Sequence, residues 1–258
     1  MDRVSPFDIL LPRGYNEKKT GGGIRTYQRL DSVLRSRGAA TKRQIHAAVA
    51  EGRITVNGQT AEDPAMECPE AAVICMDGVE IPPRAPVVLM MNKPVGTICV
   101  LGNPRHPSVF SLLPGEPPYD TLFSVGRLDV DSEGLLLLTN DGSLCQRITS
   151  PDSHLSKLYK VWFERPLQED AAERVRAGIR LQTGPVYRPA ELTVLGPGEA
   201  TVRITEGKYH EVRRIMKAVG THVCRLQRLS IGGLELDPGL APGEFRPLTE
   251  EELASIFA

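Results

Sequence analysis

The sequence predicts an α+β protein in two pieces: a small helix–helix–hairpin module, then a larger body built on a mixed, largely antiparallel β-sheet. Three observations carry this. Apolar residues at helical spacing recur in two neighbouring stretches, around residues 30 and 45, directly ahead of Asn-Gly and Asp-Gly turn signals. Pro82-Pro83-Arg84-Ala85-Pro86 then reads as a stiff linker. Beyond it, short strands with Gly and Pro turns dominate, and helices are not interleaved with them regularly.

The elements follow in order. Residues 1–26 hold Lys18-Lys19 and Gly21-Gly22-Gly23 with little apolar periodicity, and read as a flexible tail. From Tyr27, Leu30, Val33 and Leu34 mark one face of a helix ending near Gly38. Thr41 is placed to cap a second helix that carries Ile45, Ala48 and Val49 up to Gly52. Ile54-Thr55-Val56 leads into the Asn57-Gly58 turn, and Val73–Met76 and Val79–Ile81 flank Asp77-Gly78, a second hairpin. These elements define a module over residues 27–84, and the larger body occupies 85–258. There, Val87–Met91 reads as a buried strand and Tyr159–Phe163 as a half-buried one. Glu169–Ile179 is a helix, Ala200–Thr205 a strand, and His210–Val219 a helix turning Val212, Ile215, Met216 and Val219 inward. Thr249 and Glu252 form a capping box for a terminal helix.

At 258 residues the chain has ample core for this plan. No apolar run reaches the length of a membrane span, and the N-terminus has no signal-like apolar core, so a cytoplasmic protein without a membrane partner is expected. The five cysteines are scattered without a C-x-x-C pair, which reads as reduced thiols, and the five histidines do not join them at zinc-ligand spacing. No metal and no cofactor are expected. The net charge of −1 argues against a nucleic-acid partner, but its distribution does not: residues 1–60 hold eleven Lys/Arg against five Asp/Glu, and residues 61–83 hold six acidic residues and no basic one. Such asymmetry is compatible with a basic binding face on the first module, and equally with a plain solvated surface.

The most informative stretch is Gly126-Arg127-Leu128-Asp129-Val130-Asp131-Ser132-Glu133-Gly134, which runs into Leu135–Leu138 and the Asn140-Asp141-Gly142 turn. Four leucines between turn signals suit a short buried strand. Asp129 therefore stands at the lip of a buried element, where a carboxylate can be held rigidly. From the local pattern alone, an ion pair between Arg127 and Asp129 at a strand entrance is the plainer reading.

The motif resembles the catalytic Gly-Arg-Leu-Asp element of the pseudouridine synthases that modify ribosomal RNA. Other segments follow in that family's order: Asn92-Lys93-Pro94-Val95-Gly96, Ile148-Thr149-Ser150-Pro151, Lys157-Leu158-Tyr159, Thr205-Glu206-Gly207-Lys208-Tyr209-His210-Glu211-Val212-Arg213-Arg214, and Leu240-Ala241-Pro242-Gly243-Glu244-Phe245-Arg246-Pro247. The first module, with Arg29-Leu30-Asp31 opening its first helix and Gly52–Gly58 closing its second, is similar to an S4 RNA-binding domain. Asn103–Val109 and Ile231-Gly232-Gly233-Leu234 look most like the branch acting on 16S rRNA.

This resemblance implies the conversion of uridine to pseudouridine in ribosomal RNA, most specifically at a single position of 16S rRNA. Its partner would be ribosomal RNA or an assembling small subunit, and nothing in the sequence demands more than a monomer. Asp129 would be the essential carboxylate, as nucleophile or as proton acceptor on the sugar. Arg213 would be the cation that keeps it ionised, and Tyr159 would stack on the extruded base. Arg29, Arg35, Arg37, Lys42, Arg43 and Arg53 would meet phosphates, as would Arg127 and Arg214. Lys93 would meet backbone phosphate or fix its loop. Glu211 departs from the family, standing where glutamine is usual. It would either bind Arg214 outside the pocket or compete for Arg213.

Three alternatives remain open to the sequence: a 23S rRNA enzyme of the same family, a non-catalytic RNA-binding or ribosome-assembly factor, and a glycoside hydrolase using Asp129 with Asp131 or Glu133. Residues two apart on an extended strand share a face and cannot flank a scissile bond, which weighs against the last.

Overall fold

A computed structural model describes residues 18–20, 23–25, 27–69, 71–102, 105–181 and 185–258. Its residues fall into two compact units. One takes the described residues up to Val87 together with Pro114–Phe123 and Thr139–Gln146, and the other takes the described residues of Val88–Leu113, Ser124–Leu138 and Arg147–Ala258.

The first unit opens with β1 (Lys18–Thr20) and β2 (Gly23–Arg25), paired antiparallel. This ladder falls inside the segment expected to be a tail, the rest of which lies outside the described residues. β3 (Tyr27–Arg29) leads into α1 (Leu30–Ser36), and α2 (Lys42–Ala50) follows. Thr41 and Gln44 close a capping box on α2, so two of its orphan donors are satisfied locally. β4 (Ile54–Val56), β5 (Gln59–Thr60), β7 (Ile74–Met76) and β8 (Val79–Glu80) form a sheet in the order β5-β4-β7-β8, while β6 (Glu67–Pro69) pairs with β3. Asn57 and Asp77 both take left-handed φ with a glycine next, as tight Asn-Gly and Asp-Gly hairpins require. Leu30, Leu34, Ile45, Ile54 and Ile74 are fully buried between the helices and this sheet.

The second unit is organised by a nine-stranded sheet. Its strands are β9 (Val88–Lys93), β10 (Phe123–Val125), β11 (Ser132–Thr139), β12 (Lys157–Phe163), β15 (Glu191–Gly196), β16 (Glu199–Ile204), β17 (Val223–Ile231), β18 (Leu234–Glu235) and β19 (Phe245–Pro247), and β13 (Ile179–Arg180) and β14 (Val186–Tyr187) form a separate ribbon. The order is β15-β16-β12-β17-β11-β9-β19, with β10 on β11 and β18 on β17. β11 and β17 run parallel, whereas β12 pairs antiparallel with both β16 and β17, so the sheet is mixed and largely antiparallel. Leu135–Leu138 are completely buried, as a continuous apolar run in a central strand must be.

Three helices belong to this unit, α4 (Ala171–Ala177), α5 (Glu211–Ala218) and α6 (Glu250–Ser255), and α3 (Gly142–Thr149) begins in the Thr139–Gln146 segment of the first unit and ends in this one. α5 buries Val212, Ile215 and Met216, and α6 carries the Thr249–Glu252 capping box. α3 and the long β17 are elements that sequence periodicity did not supply. Asp141 accepts from the backbone N–H groups of Ser143 and Leu144, so the expected turn starts a helix instead of ending there.

One glycine fixes the strand beside the site. Gly134 has φ +99°, and a Cβ there would overlap the carbonyl oxygen of Arg228 on β17. The close approach of β11 to β17 therefore requires glycine.

Candidate active site

A cleft of about 410 Å³ opens in the second unit. Its walls come from the segment before β11 (Val125–Asp129), the end of α3 with Ser150 and Pro151, strands β12 and β17, and Thr205–Val212. That volume lies in the range of sites that enclose a small ligand or a single nucleoside.

Asp129 sits in this cleft with about a third of its side chain exposed. The chain around it is tethered residue by residue. Leu128 N–H donates to the Cys99 thiol at 3.5 Å, and Asp129 C=O accepts from Ser132 N–H at 3.1 Å. Val130 C=O accepts from Gly96 N–H at 2.7 Å, and Asp131 C=O accepts from Arg213 Nη2 at 3.2 Å. The carboxylate is thus carried by a segment with little freedom to move, which is what a preorganised reacting group needs. The Lys-Pro-x-Gly segment acts here through Gly96.

Arg213 is not where the resemblance placed it. Its Nη2 lies 2.9 Å from Asp131 Oδ2 and its Nη1 donates to Val223 C=O at 3.0 Å, while Nε is buried without a partner. The guanidinium is committed to the start of β17 and to Asp131, so none of its donors reaches Asp129. The side chain that approaches Asp129 is instead His210, whose Nε2 stands 3.5 Å from Oδ1. His210 takes a left-handed φ of 53° immediately before α5.

Tyr159, on β12, is 7 % exposed and lines the cleft as expected. In register it faces Arg228 on β17, and Arg228 donates through Nε to Leu135 C=O at 2.7 Å, leaving Nη2 buried and unpartnered. Lys157, two residues before Tyr159, also lines the cleft, and burial pushes its ammonium pKa down. Glu211 is 4 % exposed and accepts from Lys208 N–H at 2.7 Å. Burial pushes its carboxyl pKa up, against the pull of that hydrogen bond. It neither binds Arg214 nor competes for Arg213. Lys157, His210 and Arg228 are cleft residues that sequence reasoning missed, although all but Arg228 stand inside the motifs it quoted.

The expected RNA contacts divide by burial. Arg35, Lys42 and Arg43 are exposed on the first unit and form no ion pair among the described residues. Arg29 is exposed but bound to Asp31 through Nε and Nη2 at 3.0 and 2.9 Å, and Arg53 is exposed between Asp77 and Glu51. Arg37 is 5 % exposed, and its guanidinium donates to Ile81 C=O and Ala72 C=O, so it holds the module together and does not face a phosphate. Lys93 is fully buried and donates to Pro94 C=O and Ser132 C=O, which leaves the loop-fixing role and excludes the phosphate one. Arg127 is exposed on the cleft rim, with no ion pair to Asp129. Arg214 donates to the Tyr187 hydroxyl at 3.4 Å and lies 5.3 Å from the Tyr209 ring centroid.

The Gly232-Gly233 pair has a packing explanation. A Cβ on either residue would overlap a backbone carbonyl oxygen of α6 or its C-cap, that of Ile256 or Ser255. Asn103 and Pro104 lie outside the described residues. Among the described residues, no helix is long and apolar enough to cross a membrane, and no three His, Cys, Asp or Glu side chains gather to hold a metal ion.

Residues 87–218 match the family model for RNA pseudouridylate synthase, and residues 28–74 match that for the S4 domain. The chain is 39 % identical over 230 residues to ribosomal small subunit pseudouridine synthase A of Escherichia coli (strain K12), covering 88 % of this chain and 99 % of that protein. It is 38 % identical over 230 residues to the uncharacterized RNA pseudouridine synthase YtzG of Bacillus subtilis (strain 168), covering 87 % and 96 %. A crystal structure of a pseudouridylate synthase aligns with a TM-score of 0.66 at 33 % identity, over 88 % of this chain and 99 % of that one. The order of motifs around Asp129, the S4 match ahead of them and these near full-length relatives lead to one conclusion: the chain belongs to the RNA pseudouridylate synthase family.

Proposed function

We propose that this enzyme isomerises one uridine of small-subunit (16S) ribosomal RNA, of the uridine-516 type, with Asp129 as the essential carboxylate. The observation that carries the reading is the tethered Asp129 at the mouth of a nucleoside-sized cleft with Tyr159 on its wall. The 16S assignment is supported by the relative whose name specifies the small ribosomal subunit, matched over nearly its whole length.

The reaction breaks the bond from ribose to the base nitrogen, turns the uracil over and rejoins it through carbon. Atoms are conserved, so the protein needs to supply a carboxylate, a place to hold the detached base, and proton transfers. Asp129 serves as nucleophile or as proton acceptor on the sugar, and both routes require it ionised. Tyr159 offers a ring for the extruded base and a hydroxyl near the reacting atoms. Arg213 acts through Asp131, fixing the segment that carries Asp129. Exposed Arg35, Lys42 and Arg43 provide phosphate contacts that supply affinity and register, and Arg127 does so at the cleft rim. The target must leave its stack, at a cost of a few kcal/mol that such contacts offset. The substrate is ribosomal RNA or an assembling small subunit in the cytoplasm, and the enzyme acts as a monomer.

Mapping carbodiimide-blocked reverse-transcription stops in ribosomal RNA, from cells with and without the protein, tests this. One stop lost from 16S rRNA is the expected result. A stop lost from 23S rRNA moves the target to the large subunit, and no lost stop leaves the RNA-binding factor as the better reading.

A further inference from the structure

Tyr209 is a large aromatic residue left 64 % exposed, and it lies on the rim of the cleft that holds Asp129. It is not loose. Its ring stacks on His210 with centroids 3.8 Å apart and planes inclined by 21°. Arg214 places its guanidinium carbon 5.3 Å from the same ring, and Arg214 is in turn within hydrogen-bond reach of the buried Tyr187 hydroxyl. His210 is fixed from the other side by the left-handed turn before α5 and by its approach to Asp129. Tyr209 is therefore an exposed aromatic backed by a second ring and flanked by a cation. Its own exposure contributes nothing to the core.

We infer that Tyr209 is a stacking platform for a nucleobase adjacent to the target uridine. When a uridine leaves its stack, its neighbours lose a π-face contact, and an aromatic ring at the mouth of the receiving cleft replaces it. Stacking of this kind tolerates any base, because every base has a π-face, and it is strengthened by an adjacent guanidinium. Tyr209 is a positioning residue, since its ring meets the flanking base and not the reacting atoms. The inference rests on the proposed reaction with RNA.

The test uses the full-length enzyme and 16S rRNA transcripts, with 2-aminopurine placed beside the mapped target in a shorter fragment. Tyr209→Ala should raise KM by roughly 5- to 100-fold while kcat changes far less, and Tyr209→Phe should behave as the parent. Quenching of 2-aminopurine on binding should persist with Tyr209→Phe and disappear with Tyr209→Ala. Equal thermal unfolding midpoints for the three proteins separate this from a folding defect. Unchanged KM and unchanged quenching in Tyr209→Ala would overturn the inference while leaving the functional reading intact, and so would a loss of equal size in Tyr209→Phe. Failure of the parent enzyme to convert any ribosomal RNA would overturn the functional reading, and the inference with it.

Discussion

Arg213 holds Asp131, not Asp129: its Nη2 forms an ion pair with the Oδ2 of Asp131, at 2.9 Å, and donates to that residue's carbonyl oxygen, at 3.2 Å. The arginine clamps the peptide two residues beyond the reacting carboxylate and leaves that carboxylate facing His210. A cation that positions the loop has a different mutational signature from one that keeps a carboxylate charged.

Arg213→Ala should reduce turnover by about one to two orders of magnitude, as loss of positioning does. Asp131→Asn should reproduce part of that loss, and the double variant should be less impaired than the two effects multiplied. Steady-state kinetics on the four proteins reads the coupling. Independent, fully multiplicative effects would show that Arg213 does not act through Asp131. The ion pair itself is half exposed, so its own contribution to stability should not exceed about 1 kcal/mol.

Gly134→Ala should lower the thermal unfolding midpoint by roughly 5 °C or more, because the new methyl group meets the Arg228 carbonyl and φ is +99°. Differential scanning calorimetry of the full chain checks this. A shift within error would mean that β11 and β17 can separate locally at no measurable cost.

Arg37 and the pair Lys42 and Arg43 should separate cleanly. Arg37→Ala leaves the Ile81 and Ala72 carbonyls without their donor, and should cost on the order of 2–4 kcal/mol of stability. Lys42→Ala and Arg43→Ala should leave the midpoint alone. Each should instead lower the slope of log affinity against log salt by about 1. Unfolding curves and salt-dependent RNA binding together read both effects.

Acid should weaken the first unit through Asp31. The Arg29 guanidinium, with help from His46, holds its carboxyl down at about 2 against an ordinary value of 3.8, although burial opposes this. A depressed carboxyl contributes stability that is fully present above its unfolded value and is lost as the pH falls through its folded one. The window is therefore about pH 4 down to pH 2, and the contribution is about 2 kcal/mol. Asp31→Asn should be less stable than the parent at pH 6, and the difference should shrink across that window. A constant difference would show that Asp31 stays protonated or unpaired in the folded protein.

Where side-chain chemistry is local, the sequence was a good guide. The Thr41 cap, the Thr249–Glu252 capping box, and the Asn57-Gly58 and Asp77-Gly78 turns are set by residues within four positions of each other, and all are present in the structure; only the return bond from Gln44 to Thr41 goes beyond the sequence reading. Leu135–Leu138 were legible because a continuous apolar run has few other uses. α3 was missed because its cap, Asp141, sits in a motif that equally well ends a strand. β17 was missed because charged Arg225 and Arg228 interrupt its apolar pattern, and only the tertiary structure shows Arg228 bonded to a buried carbonyl. Arg37 reads as a surface cation, and Lys93 stays open between a phosphate and its own loop, for the same reason: burial of a long charged side chain depends on carbonyls 35 or more residues away. The Asp129–His210 and Arg213–Asp131 pairings likewise join segments about 80 residues apart, which motif order lists but does not connect.

The most direct measurement is release of tritium from 16S rRNA transcripts carrying [5-³H]uridine, comparing the parent enzyme with Asp129→Asn. The parent should release label from one site, and Asp129→Asn should release none while binding the same RNA with unchanged affinity and unfolding at the same temperature. Turnover by Asp129→Asn near the parent rate would contradict the assignment of Asp129 as the essential carboxylate.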